Sequence, residues 1–364
     1  MILLSACLAA IPASAAGLDR TFKLIKEGEQ LTAAAAADLE AKVAKRPRDL
    51  ESRLRLLSYY AGPQDSPEVE AIRAARLRHS LWIIENEPKA AVFNIGTRIY
   101  AVQPVGDALA DPAGWQSAKA AWESQLARRP KDMELKKNAA SYVGIHDFAF
   151  TERQLKEAGE FRWLGQLYAK SILGISAYAY RSSDPAQASD ALRSSEHARY
   201  ALAELERSAN AALLGGAGFT LCRDGGILYA DGKLDWDYTP LAERLLAEAA
   251  RLDPLNDDAF SEVPVLPRRG ERYPMKVRLG GTVAAANLRR QVLPVIPKGT
   301  PPADEPVRLK ILIGLDGTII RAVPVSGPAL YREPAVRAVK QWVYQPVTVN
   351  GKPTFVLTSV DLIF

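Results

Sequence analysis

A proline-punctuated internal repeat is what most narrows the choice of fold. Laying "AKRPRDLESRLRLLSYY" from Ala44 over "ARRPKDMELKKNAASYV" from Ala127 aligns cationic residues, a proline, an aspartate, a glutamate and a Ser-Tyr pair, at an offset of 83 residues. Between them "ENEPKAAVFNIGTRIY" places Pro88 41 residues after Pro47 and 42 before Pro130, which halves the period. A helix that stops near a proline, followed by a second with a polar first turn, buries its apolar face by stacking on neighbouring pairs. The pattern predicts a helical-repeat region over residues 17–260, with an irregular helical bundle as the competing arrangement. In "PLAERLLAEAARLDP" the stripe is clearest: Leu241, Leu245, Ala249 and Leu252 share one face, with Pro240 near the start and Pro254 just past the end.

The end of the chain changes period. Val307, Leu309, Ile311 and Ile313 alternate with Arg308 and Lys310, as a strand buried on one face requires, and Asp316-Gly317 predicts a two-residue hairpin turn. Ala335, Val336, Val339 and Val343 then fall at helical spacing around Trp342. After Asn350-Gly351, the positions Val356, Thr358, Val360, Leu362 and Phe364 share a face of a last long strand. The predicted order is strand, strand, helix, strand, strand over residues 276–364, behind a Pro-rich, charged linker over 261–275. The fold class expected is multidomain, α and α+β, with a helical-repeat array followed by a small antiparallel sheet carrying one helix.

Two resemblances follow from these residues. "LGQLY", Leu164 to Tyr168, with Ala177 at the next small position, resembles part of the tetratricopeptide repeat, although the period here is longer. The run from Lys276 to Phe364 resembles the C-terminal domain of TonB-like energy transducers. It supplies Asp316-Gly317, Ser326-Gly327, Trp342-Val343-Tyr344-Gln345-Pro346 and Asn350-Gly351-Lys352-Pro353 in the family's order, preceded by "VRLGGTVAAANLRRQVLPVIP". The segment "VIPKGTPPADEP" departs from the family, whose members carry Tyr-Pro and a short helix there.

The resemblance implies that the module binds an extended peptide or strand of a protein partner, an outer-membrane receptor being the type case. By position the partner-binding residues are Thr354, Phe355, Val356, Leu357, Thr358, Ser359, Val360 and Asp361, with Arg337 and Gln345 flanking them. Independently of the resemblance, a last strand at a sheet edge would present unpaired N–H and C=O groups to an added strand. Two alternatives stay open: Pro353 and Asp361 blunt that edge, or a homodimer covers it. The membrane anchor and long Pro/Lys spacer of a working transducer are not seen, so the other function expected is a periplasmic helical-repeat scaffold whose module serves assembly or dimerisation without energy coupling. The helical array is expected to bind a second protein.

"MILLSACLAAIPASAAG" is an apolar run ending in small residues and predicts a signal peptide over 1–16, with Ala13-Ser14-Ala15 as the cleavage pattern. Leu4-Ser5-Ala6-Cys7 offers the alternative of a lipidated Cys7. Either route places the protein in the periplasm or cell envelope. Once the signal is removed, Cys222 alone remains and no intramolecular disulfide can form. From Ser261 onward the chain carries 15 Lys or Arg against 7 Asp or Glu, whereas the whole chain nets +5. A basic tail fits an acidic partner surface, and without a recognition motif nucleic acid is not expected.

No enzyme is expected, and neither a cofactor nor a metal. His79, His146 and His197 stand in no ligand spacing, and no Gly-x-Ser-x-Gly elbow accompanies the serines. The Gly-rich stretch Leu213 to Lys233 lacks the Gly-Lys-Ser/Thr ending of a phosphate loop and is expected to be a loop between helices. Cys222 is expected to be a small buried hydrophobe. Asp257-Asp258 and Asp235 with Asp237 are expected to cap helices.

Overall fold

A computed structural model describes residues 13–61, 68–94, 104–105, 108–109, 111–173, 196–225, 238–261, 276–296 and 299–364. The chain forms two compact units that divide between Arg207 and Ser208. Residues 208–261 therefore belong with the C-terminal sheet and not with the preceding helices, contrary to a boundary at 260. Most of the 1–16 signal stretch, Ala177, Asp235, Asp237 and nearly all of the 261–275 linker lie outside the described residues. Among the described residues no helix is long and apolar enough to cross a membrane.

The N-terminal unit is helical: α1 (Ala13–Glu29), α2 (Ala33–Lys45), α3 (Leu50–Tyr59), α4 (Val69–Asn86), α5 (Pro112–Arg128), α6 (Met133–Val143), α7 (Phe148–Ala158), α8 (Phe161–Leu173) and α9 (Glu196–Arg207). A two-residue ladder, β1 (Pro104–Val105) with β2 (Ala108–Leu109), precedes α5. The three repeated prolines do the same physical work. Each disfavours helix in the residue before it, and Arg46, Glu87 and Arg129 leave their helices with φ of −130, −132 and −136°. Three residues on, a backbone N–H returns to that residue's carbonyl: Asp49 to Arg46 at 3.0 Å, Ala90 to Glu87 at 2.8 Å, Asp132 to Arg129 at 3.1 Å. Asp49 and Asp132 then cap α3 and α6, accepting from Ser52 N at 3.0 Å and Leu135 N at 3.2 Å. Ala90 has no side chain to cap with, and the element after it is a single 3-10 turn, Ala91–Asn94. The core gathers Ile83, Ile84, Phe93, Trp122, Leu135 and Tyr142, all buried, with Phe93 edge-on to Trp122 at 4.8 Å.

The C-terminal unit opens with α10 (Ala211–Thr220), a single π-helical turn (Leu221–Gly225), α11 (Thr239–Leu252) and α12 (Asp257–Ser261). The Gly-rich stretch expected to be a loop is thus helical over its first half, and its glycines admit close neighbours. A Cβ on Gly218 would lie 2.6 Å from Leu246 of α11, and one on Gly215 would lie 2.4 Å from Asn256. The turn from α11 to α12 repeats the N-terminal design: Asp253 precedes Pro254 with φ −143°, Asn256 N donates to Asp253 O at 3.0 Å, and Asn256 Oδ1 accepts from Ala259 N at 3.0 Å. It is a fourth instance of the same turn.

The sheet comprises β3 (Lys276–Arg278), β5 (Val307–Ile313), β6 (Ile319–Ser326), β8 (Val347–Val349) and β9 (Lys352–Leu362) in the order β3-β9-β5-β6, with β8 hairpinned onto the start of β9. A small ladder joins β4 (Leu288–Arg290) to β7 (Val343–Tyr344). Two helices accompany the strands, α13 (Gly281–Ala286) and α14 (Ala329–Val339). The helical stripe ends at Val339, so Val343 belongs to β7 and not to the helix face. One sheet face carries Val307, Leu309, Ile311, Val356 and Val360 against Tyr331, Ala335 and Val339 of α14 and Trp342. On the opposite face Leu312, Phe355 and Leu357 pack on Phe260 of α12. Apolar burial on both faces makes three layers where the sequence suggested two.

The hairpin at Asp316-Gly317 is longer than expected. Gly314 N donates to Thr318 O at 2.8 Å across a three-residue loop, in which Gly317 alone has positive φ, +83°. Asn350 and Gly351 both have positive φ, 51 and 75°, and close the two-residue turn their sequence demands.

Candidate functional site

The strand expected to be the sheet's margin is instead central. Val356 to Leu362 pair with Ile313 to Val307 of β5 on one side. On the other, Phe355, Val356 and Leu357 lie in parallel register with Lys276, Val277 and Arg278 of β3, and Leu279 N donates to Leu357 O at 3.0 Å. Thr354 pairs with Val347 of β8. Beyond β3, the start of α13 closes on the strand, since a Cβ on Gly281 would lie 3.3 Å from Ser359 O. The backbone groups needed for strand addition at residues 354–357 are therefore taken by the chain's own segments. Alternation along one strand tells which face it buries, not who flanks it. The available signal was the unbroken apolar run Phe355-Val356-Leu357, which marks a strand covered on both faces.

The side chains follow suit. Thr354, Phe355, Val356, Leu357, Thr358 and Val360 are buried, and Ser359 is exposed. Asp361 receives a two-pronged pair from Arg308, both bonds 2.8 Å. Arg337 is exposed on α14 and pairs with Glu333 one turn earlier at 2.9 Å. Gln345 is held away from them by Arg289, and its N–H donates to Asn287 O at 2.7 Å. The ten residues expected to form one peptide-binding surface are thus not brought together as an exposed patch.

The open end of the sheet is β6, and it is built against pairing. Register shifts against β5 leave Ile320 and Val325 as extra residues, so two bulges bend the strand, and Pro324 lacks an N–H. Between them Arg321 to Val323 remain in regular register. Both bulge residues are exposed apolar side chains. Thr318, just before β6, bridges to Val343 of β7, and Tyr344 N donates to Gly317 O at 2.9 Å.

The sheet's second face is closed by a cationic cluster that sequence reading missed. Lys310, expected to face solvent, is buried. Its Nζ reaches Leu255 O at 3.3 Å, pairs with Asp257 and sits 4.6 Å over the Phe260 ring. Arg321 donates to Ala259 O at 2.5 Å and lies 5.3 Å over the same ring. Burial tends to raise the Asp257 carboxyl, but the Lys310 hydrogen bond and charge, with Arg278, outweigh it and hold the pKa below the usual carboxylate range. Burial lowers the Arg321 pKa. Asp257 is thus an ion-pair anchor, and the cap expected of it falls to Asn256.

Among the described residues no group of three or more His, Cys, Asp or Glu side chains could hold a metal ion. His79 is enclosed in a polar network, His197 stacks on Phe148 at 4.8 Å, and Cys222 is fully buried. Compared with known proteins, the chain matches no family model, no curated protein and no solved structure.

Proposed function

We propose that this is an exported cell-envelope scaffold for protein–protein interaction, in which a tetratricopeptide-like helical region docks a protein partner and the TonB-like module serves assembly. The observation that carries this reading is the fourth Pro-centred turn: α12 leaves it to place Phe260 on the sheet. The module is thereby built onto a helix pair, and both faces of its sheet are committed. Mass spectrometry of the mature N-terminus tests the location. A chain beginning just after Ala15, or at an acylated Cys7, is the expected result, and an unprocessed Met1 start would sink it.

A second reading keeps peptide capture by the TonB-like module, with an outer-membrane receptor as the partner. One observation favours it: β3 holds β9 through three residue pairs, so an incoming extended segment has little to displace. Titrating receptor-type extended peptides into the full chain, with hydrogen exchange read along β9, separates the two. Protection of residues 355–362 with concurrent exposure of 276–278 is the outcome peptide capture requires. The scaffold reading expects no binding, together with an oligomeric state that changes when the exposed apolar bulge residues Ile320 and Val325 are made polar.

A further inference from the structure

The N-terminal unit holds a row of buried donors that have no acceptor. Arg76 of α4 is 2% exposed, and neither of its terminal nitrogens, Nη1 and Nη2, has a hydrogen-bond partner. Arg73, one turn earlier on the same helix face, leaves its buried Nε unpartnered while Nη1 donates to Glu70 at 2.7 Å. On α5 the buried indole N–H of Trp115 is also without a partner. Arg76 and the head of α5 lie at one level. Asp111, at the head of α5, is within electrostatic reach of Arg76, and Gln125 near its end donates to the Ile84 and Glu85 carbonyls near the end of α4, at 2.9 and 2.8 Å. The two helices therefore run in the same direction, and Trp115 lies one turn beyond Asp111 on α5.

Asp111 does not satisfy the guanidinium. Its Oδ1 accepts from Gly114 N at 2.8 Å as the cap of α5, and no bond to Arg76 forms. A buried, unpaired cation is among the costliest features a core can contain, whereas a guanidinium offers two parallel donors matched to an oxyanion. We propose that Arg76, assisted by Arg73, binds a small oxyanion of the phosphate or carboxylate class. Arg73, whose side chain is 27% exposed, is the nearer of the two arginines to solvent.

The test is thermal unfolding of the full chain in titrated inorganic phosphate or sodium acetate, each against sodium chloride at matched ionic strength. A saturable rise in Tm with at least one of the two anions is expected, roughly 5 °C or more at a hundredfold excess over Kd. Which anion produces it assigns the class. Arg76→Met should abolish the rise, and in anion-free buffer it should be at least as stable as the wild type, because it removes an unpaired buried charge. Should Arg76→Met fail to fold in anion-free buffer, Arg76 is paired by the chain itself and the proposal falls. Arg73→Gln, at the more exposed end of the row, should weaken the anion's effect at least several-fold. No rise with either anion, or an equal rise in Arg76→Met, would reduce the effect to general salt stabilisation and overturn the site.

Discussion

His79 shows how much a single buried side chain can couple. Arg53 Nη1 approaches its Nδ1 at 3.2 Å, and because guanidinium can only donate, Nδ1 accepts and Nε2–H donates to Glu40 at 3.0 Å. Arg78 and the Tyr60 hydroxyl donate to the same Glu40 oxygen at 2.7 and 3.0 Å. Burial lowers the His79 pKa, with Arg78 and Arg53 adding to that and Glu40 opposing it. The folded pKa lies below the unfolded one, so the unfolded chain takes up the proton first. Stability present above about pH 6.5 is then lost as pH falls. Glu40 extends the trend below its usual 4.5: burial would raise it, but its His79 and Tyr60 hydrogen bonds hold it down. Urea unfolding at pH 7.5, 6.5 and 5.5 should show wild type losing more stability than His79→Gln. Parallel profiles would remove His79 from the account.

Helix ends carry the repeat at the next scale. Asp132 caps α6 at Leu135 N, and it also pairs with Lys89 of the preceding turn at 2.8 Å. That pair is partly exposed, with side chains 48 and 21% accessible, so most of the value lies in the cap. Asp132→Ala should lower the stability of the N-terminal unit by about 1 kcal/mol in denaturant unfolding. An unchanged midpoint would mean that the turn is held by packing alone. The Pro-centred turns were legible because Pro, then Asp two residues on, is a local signal; the capping by those aspartates was read only from the structure. The fourth turn escaped because Asn256 stands in place of aspartate and its outgoing helix is five residues long.

At the scale of the molecule, Phe260 decides how the C-terminal unit is assembled. It is buried against Leu312, Phe355 and Leu357, beneath the cations of Lys310 and Arg321. Phe260→Ala should cost about 3 kcal/mol and uncover the sheet's second face, read as dye binding and an earlier transition of this unit. A loss below about 0.5 kcal/mol would place Phe260 among surface residues. Periodicity and turn chemistry in the sequence by themselves determined the helical body, the strand-rich end, the Pro-centred turns and the Asn350-Gly351 hairpin, because each depends on residues within one or two turns of one another. The tertiary structure alone decided that β9 is central, that β6 ends the sheet, that Lys310 is buried and that α12 belongs with the sheet. Those outcomes depend on which distant segments compete for the same backbone groups and the same apolar face, a contest that no local pattern records.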